Sequence, residues 1–210
     1  MFKDRKDAGK KLVHQLGEYR NRKDTMILAI PRGGVILGLE IAKFLNVPLD
    51  IIVVRKIGAP DNPEYAVGAV DQNGNILRNP EAEVSEKYLD IQGREVLKEI
   101  KRRIKEYRKG SARLNLVNKN VILVDDGIAT GLTVLKAVDF IKTEKAKKVI
   151  LAVPVIAKDM INRLEESVDD LIFLESPEVF FAVGQFYLNF PQVTDSEVKE
   201  TLAISRKRKV

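Results

Sequence analysis

The sequence predicts an α/β fold, a mostly parallel central sheet flanked by helices. Three observations predict it. Short apolar runs of strand length (25–30, 49–54, 121–124, 148–153 and 170–174) recur between stretches with helical spacing of apolar residues. The runs are rich in Val, Ile and Leu, which suits strands buried on both faces. Glycine-rich or charged turns follow several of them directly, at the strand ends where an open α/β sheet forms its ligand crevice.

Composition narrows the chemistry. With 210 residues the chain is expected to form one domain over 1–210, and a chain of this length buries about 70% of its unfolded surface. No apolar run approaches the length of a membrane span, and the charged stretch 1–11 is unlike a signal peptide, so a cytoplasmic protein with no membrane partner is expected. There is no cysteine and a single histidine, His14. Disulfides, thiolate nucleophiles, Cys- or His-based zinc sites and a Ser/His/Asp triad within one chain are thereby excluded. A net charge of +6 and a pI near 9.4 suit a ligand with several phosphates, or nucleic acid. Much of the excess lies in 98–109 and 206–209, which read as solvated surface and tail. No recognition motif accompanies it, which argues against nucleic acid as a partner.

In chain order, Ala8, Leu12, Val13 and Leu16 give 2–19 a helical stripe, with His14 on its flank. The strand 25–30 runs into Pro31, Arg32, Gly33 and Gly34, followed by a helix over 35–45. Two glycines at such a corner let the backbone approach a phosphate, and Arg32 offers a planar, permanently charged fork to its oxygens. The strand 49–54 ends in Arg55 and Lys56. Beyond it Tyr65, Val67 and Ala69 alternate as an edge strand would, and Asn73-Gly74 signals a type I′ hairpin with 75–77 returning. A long amphipathic helix is expected over 83–109, with Gly93 a point of interruption and Gly110 its end.

The stretch VILVDDGIATGLTV at 121–134 organises the rest. Its buried strand ends in Asp125 and Asp126, and Gly127, Thr130, Gly131 and Thr133 follow just before a helix over 132–143. Glycines turn backbone N–H groups inward, threonines add hydroxyls and the helix N-terminus adds positive potential, which together make an anion cradle. Carboxylates beside it would repel that anion. They serve better as acceptors for vicinal hydroxyls or near a divalent cation. A ribose 5-phosphate satisfies both halves. A P-loop would need Lys before the final Thr, where this chain has Leu132. A phospho-receiver domain would carry its acidic pair near its start, without a phosphate cradle behind it. Farther on, 154–157 read as an apolar turn and 158–166 as a short helix. Phe180, Phe181, Phe186, Tyr187 and Phe190 then gather five of the thirteen aromatic residues, either as core or as a flat wall for a heterocycle. Thr194 and Glu197 form a capping box opening a last helix.

VILVDDGIATGLT resembles, over all thirteen positions, the phosphoribosyl-diphosphate (PRPP) binding motif of the type I phosphoribosyltransferases. The resemblance implies that fold, with a small β-hairpin flap at about 56–80 and a C-terminal hood at about 175–193 that would hold the base. It implies that Asp125 and Asp126 hold the ribose 2- and 3-hydroxyls, and that Gly127, Ile128, Ala129, Thr130, Gly131, Leu132 and Thr133 wrap the 5-phosphate. Arg32, Gly33 and Gly34 sit where the family's diphosphate loop falls, a loop often of unusual peptide geometry. Arg32, Lys56 and Asp126 are the catalytic candidates, with Arg55 and Tyr65 as further candidates at the flap. Mg²⁺ would be held by substrate oxygens and water, with Asp125 or Asp126 nearby and no direct protein cage. The implied reaction transfers the 5-phosphoribosyl group of PRPP to a nucleobase or related heterocycle and releases diphosphate, in a homodimer or higher homo-oligomer. Ala129 departs from the pattern of enzymes using 6-oxopurines, which commonly carry an acid there, so the acceptor stays open. A non-catalytic PRPP sensor, its basic tail touching nucleic acid, is the alternative.

Overall fold

A computed structural model describes residues 1–63, 65–108 and 114–208. Eight strands follow one another along the chain: β1 (Thr25–Ala29), β2 (Leu49–Ile51), β3 (Arg55–Gly58), β4 (Ala66–Val70), β5 (Ile76–Arg78), β6 (Asn120–Val124), β7 (Lys148–Val155) and β8 (Asp170–Glu175). Six α-helices accompany them: α1 (Arg5–Leu12), α2 (Gly33–Leu45), α3 (Glu86–Arg108), α4 (Leu132–Thr143), α5 (Ile161–Glu165) and α6 (Asp195–Lys207). Five parallel strands form the central sheet in the order β2-β1-β6-β7-β8, and β3-β4-β5 form a small antiparallel sheet beside it. The predicted α/β class is what the chain adopts.

Strand alternation explains the two cores. Ile27, Ala29, Ile122, Val124, Ile150 and Ala152 face one side, packed with Leu37 and Ile41 of α2, Ile100 of α3 and Leu202 of α6. Leu28, Val121, Leu123, Val149, Leu151 and Val153 face the other, against Leu135 and Val138 of α4 and Leu164 of α5. Each fully buried Val, Leu or Ile among them contributes about 2 kcal/mol by leaving water. The connection after β1 leads to β2 on one side, and the connection after β6 leads to β7 on the other. The C-terminal ends of β1 and β6 therefore flank the switch point of the sheet, where a ligand crevice belongs.

Several boundaries differ from the sequence reading for identifiable reasons. The strand expected to reach residue 54 leaves the sheet after Ile51, and buried Ile52, Val53 and Val54 carry the chain across to β3. Residues 66–70 form no edge. They are the middle strand of the small sheet, buried at every position between β3 and β5. The turn at Asn73-Gly74 is not type I′, since only Gly74 has positive φ (92°). Instead Asp71 Oδ1 accepts from the amides of Asn73 (2.8 Å) and Asn75 (3.0 Å), closing a longer loop. Gly93 does not interrupt α3; a Cβ there would lie 2.6 Å from Ile76 Cδ1, so glycine lets the helix rest on β5. Pro154 and Val155 belong to β7, not to a turn. β6 has already ended opposite Ala152, so the missing proline N–H costs no ladder bond on that side. Gly110, Lys109 and Lys209 lie outside the described residues. No helix among those described is long and apolar enough to cross a membrane.

The small sheet is tied to α4 by a buried ion pair, Lys136 Nζ to Asp71 Oδ2 at 2.9 Å, with side chains 3% and 1% exposed. Asp139 takes a second Nζ bond at 2.6 Å. Lys136→Met leaves the Asp71 carboxylate buried without its cation and should cost about 3–5 kcal/mol in urea unfolding, most of it recovered by adding Asp71→Asn.

Candidate functional site

At the C-terminal end of β6 the chain leaves the sheet at Asp125 and reaches α4 at Leu132. The intervening loop is clipped to β7. The Ile128 amide donates to the Val155 carbonyl at 3.0 Å, and the Ala157 amide donates to the Ile128 carbonyl at 2.9 Å. Gly131 has φ 69°, a left-handed conformation that glycine adopts without strain, and it lies close against Met160. Among the described residues, the amides of Gly127, Ala129, Thr130 and Gly131 donate to no protein carbonyl. They surround a cavity of about 180 Å³ lined by Asp125, residues 127–131, Thr133, Val134 and Val183. Open amides at a helix N-terminus are an anion site by construction.

The corner after β1 lies directly beside it. Ala29 pairs with Val124, and the Ile30 amide donates to the Val124 carbonyl at 2.9 Å. The Pro31–Arg32 peptide is cis. A Cβ on Gly33 would fall 1.8 Å from Asp126 Oδ2, so glycine is what admits that carboxylate. Arg32 Nη1 lies 3.6 Å from Asp195 Oδ1 at the start of α6. The Tyr107 hydroxyl donates to that same Asp195 oxygen at 2.5 Å, and this bond, with Arg103 and Arg32 nearby, holds the Asp195 carboxyl below the usual range.

Burial pushes both acids of the pair up, and for Asp125 the neighbouring Asp126 charge adds to the rise. Asp126 is partly relieved by Arg5 of α1, whose Nε donates to Oδ2 at 2.7 Å. Arg5 is itself held: Nη1 donates to the Pro191 carbonyl at 2.8 Å, and the guanidinium lies 3.7 Å from the centroid of the Phe190 ring. The Tyr187 hydroxyl donates to the Asp126 carbonyl at 2.6 Å, and burial raises its pKa.

A larger cavity of about 630 Å³ adjoins the loop, lined by Ala129, Thr130, Ala157, Lys158, Asp159, Pro177, Glu178, Phe180 and Phe181. Lys158 and Glu178 pair across its rim. The aromatic group thus divides by role. Tyr187 packs on Phe2 and Phe190, with centroids at 5.3 and 4.8 Å, as part of the scaffold. Phe181 is 87% exposed at the cavity.

Open amides, two acids and a second glycine corner lie together at the ends of β1 and β6. A model of the phosphoribosyl transferase domain matches residues 2–191. The chain belongs to the phosphoribosyl transferase family. Two Mycobacterium tuberculosis proteins, from strains CDC 1551 and H37Rv, each provisionally named a phosphoribosyl transferase, are 40% identical to it over 202 residues. The chain spans 45% of the length of these curated relatives. The protein TT1426 from Thermus thermophilus has a similar solved structure, with TM-score 0.82 and 35% identity over 96% of this chain and 97% of that one. AQ2163 from Aquifex aeolicus shares the fold at TM-score 0.52 and 16% identity, over 94% of this chain and 84% of that one.

In this family member, Asp125 and the backbone from Gly127 to Gly131 meet around one cavity, with Thr133. Leu132 is buried beneath it as the first residue of α4. Gly33 and Gly34 abut the acidic pair, while Arg32 lies against α6. Lys56, on β3, lines neither cavity beside the loop, and Tyr65 lines a separate one with Tyr88. The sequence reading missed Arg5 and Tyr187 as partners of Asp126. Arg5 lies in a run of charges with no local pattern to single it out, and Tyr187 was visible only as one of a group.

Because the folded Asp125 carboxyl titrates above its ordinary value, ionisation costs the folded state stability as pH rises from about 4. Asp125→Asn should therefore raise the thermal unfolding midpoint at pH 7 in the absence of ligand. The gain should shrink toward pH 4, where the wild-type carboxyl carries its own proton.

Proposed function

We propose that this family member transfers the 5-phosphoribosyl group of PRPP to a heterocyclic nitrogen and releases diphosphate. The observation that carries the reading is the adjacency of the open-amide loop, the acidic pair and the corner at 31–34, all at the paired ends of β1 and β6. On this reading the 5-phosphate takes the amides of residues 127–131 with the Thr130 and Thr133 hydroxyls. The ribose hydroxyls meet Asp125 and Asp126. The diphosphate lies over Gly33 and Gly34, where Arg32 exchanges Asp195 for the leaving oxygens. The acceptor occupies the cavity between the loop and the Phe180 and Phe181 rings, a flat apolar face for a heterocycle.

Bond cleavage at ribose C1 passes through an oxocarbenium-like state while negative charge gathers on the leaving diphosphate. Firm grips at both ends of the sugar and positive groups on the leaving group lower that barrier. Two half-buried acids with raised pKa values fit a nearby dication, since a positive charge relieves their repulsion. Asp125, which opens on the loop cavity, and Asp126 would neighbour Mg²⁺ held mainly by substrate oxygens and water. That ion would supply charge neutralisation to the diphosphate.

A role as a PRPP sensor on nucleic acid gains no observation of its own. Arg206 and Arg208 of the basic tail donate to the Tyr107 and Lys43 carbonyls, both at 3.3 Å. Diphosphate release in a panel of purines, pyrimidines and small heterocycles with Mg²⁺ and PRPP tests catalysis; PRPP binding without turnover on any of them would favour the sensor. Asp126→Asn and Thr130→Val should each weaken PRPP binding at least about tenfold by calorimetry, the scale of one charge-assisted hydrogen bond. Arg32→Ala should lower kcat on the order of a hundredfold with a smaller effect on PRPP affinity, as when one preorganised donor is deleted.

A further inference from the structure

The acidic pair is not held by its own strand end alone. Arg5 reaches it from α1, 121 positions away in sequence, and contacts it with a side chain only 9% exposed. Contacts on several sides restrict that guanidinium. Phe190 stacks beneath, Pro191 accepts from Nη1, and Gly33 leaves room for the Asp126 carboxylate, since a Cβ there would come within 2.9 Å of Arg5 Nε. The Tyr187 hydroxyl fixes the Asp126 backbone from the same C-terminal segment. Four separate stretches therefore meet around Asp126 and its arginine: α1, the corner after β1, the end of β6 and residues 187–191.

Such a convergence exceeds what packing requires. An arginine on a helix near the N-terminus could remain in solvent, where its charge costs nothing. Here it is desolvated to place a planar donor on one oxygen of one acid. A carboxylate has two oxygens and about four acceptor sites, and an unheld Asp rotates about χ1 and χ2. With Oδ2 occupied, the remaining acceptor directions of Asp126 are fixed relative to the loop. The other groups facing this carboxylate are Asp125, which repels it, and the Tyr187 hydroxyl, which is spent on the backbone.

We infer that Arg5 is a positioning residue for sugar recognition: by clamping Asp126 Oδ2 it orients the acid toward the ribose hydroxyls and links that geometry to the C-terminal aromatic segment. The inference rests on the sugar-phosphate reading of the site. It assigns Arg5 no contact with substrate. Its consequence is a specificity effect, confined to ligands that carry the diol.

Calorimetry with ribose 5-phosphate and 2,3-dideoxyribose 5-phosphate separates the two claims. The wild-type protein should prefer the ribose compound, and absence of any preference would overturn the sugar-site reading and this inference with it. Arg5→Ala should reduce ribose 5-phosphate affinity about tenfold and leave the dideoxy compound within about twofold, collapsing the preference. Arg5→Lys, which keeps the charge without the planar fork, should fall between. A folded Arg5→Ala protein with the full wild-type preference would overturn the positioning role while leaving the sugar site standing, and so would an equal loss for both ligands. Should Arg5→Ala fail to fold, Phe190→Leu carries the test. It keeps the cation and removes the ring beneath it, so the preference should fall partway, and an unchanged preference would overturn the inference.

Discussion

The parallel pairing of β1 with β6 is the constraint on which the rest depends. Ala29 opposite Val124 brings two chain segments separated by nearly a hundred residues to the same edge of the sheet. Each then turns into a helix, α2 or α4, with glycine at the turn. The crevice is a consequence of sheet topology: β2 lies to one side of β1 and β6 to the other, so the connections part between them. Slipping β1 by one residue against β6 would put Ala29 and Val124 on opposite faces and shift the two corners apart.

Two acids side by side at a half-buried strand end are unfavourable as a matter of folding. Burial raises both pKa values, the Asp126 charge raises that of Asp125 further, and the Arg5 guanidinium partly relieves both. The molecule keeps this cost at its ligand crevice and nowhere comparable among the described residues. Buried Asp71, by contrast, has its own lysine and two backbone amides. The difference is that Asp71 closes a structural loop, whereas Asp125 after β6 faces a cavity.

The small antiparallel sheet is tied down on several sides. β4 is buried throughout between its neighbours, α3 lies on it through Gly93, and the Lys136–Asp71 pair binds its turn to α4. Among the described residues, 59–63 and 65 between β3 and β4 and the turn at 71–75 lie outside the ladder.

Much of the site was legible before any fold. A buried strand, two acids and a Gly/Thr loop within thirteen positions are a local pattern, and local order dictates backbone geometry; α4 begins and ends where the periodicity of 132–143 places it. The corner at 31–34 was legible for the same reason, as was the capping box that opens α6. Arg5 was not legible, because its partner lies 121 positions away and its neighbours are equally charged. The central place of β4 and the continuation of β7 through Pro154 were hidden too, because each depends on which strands stop beside it. Sequence alone determined the fold class and the run of strand, acidic pair, glycine loop and helix, since both follow from residue type and spacing along the backbone. Tertiary structure decided how the acids are held, which aromatics face the cavity and where Arg32 rests, since those depend on side chains brought together only by packing.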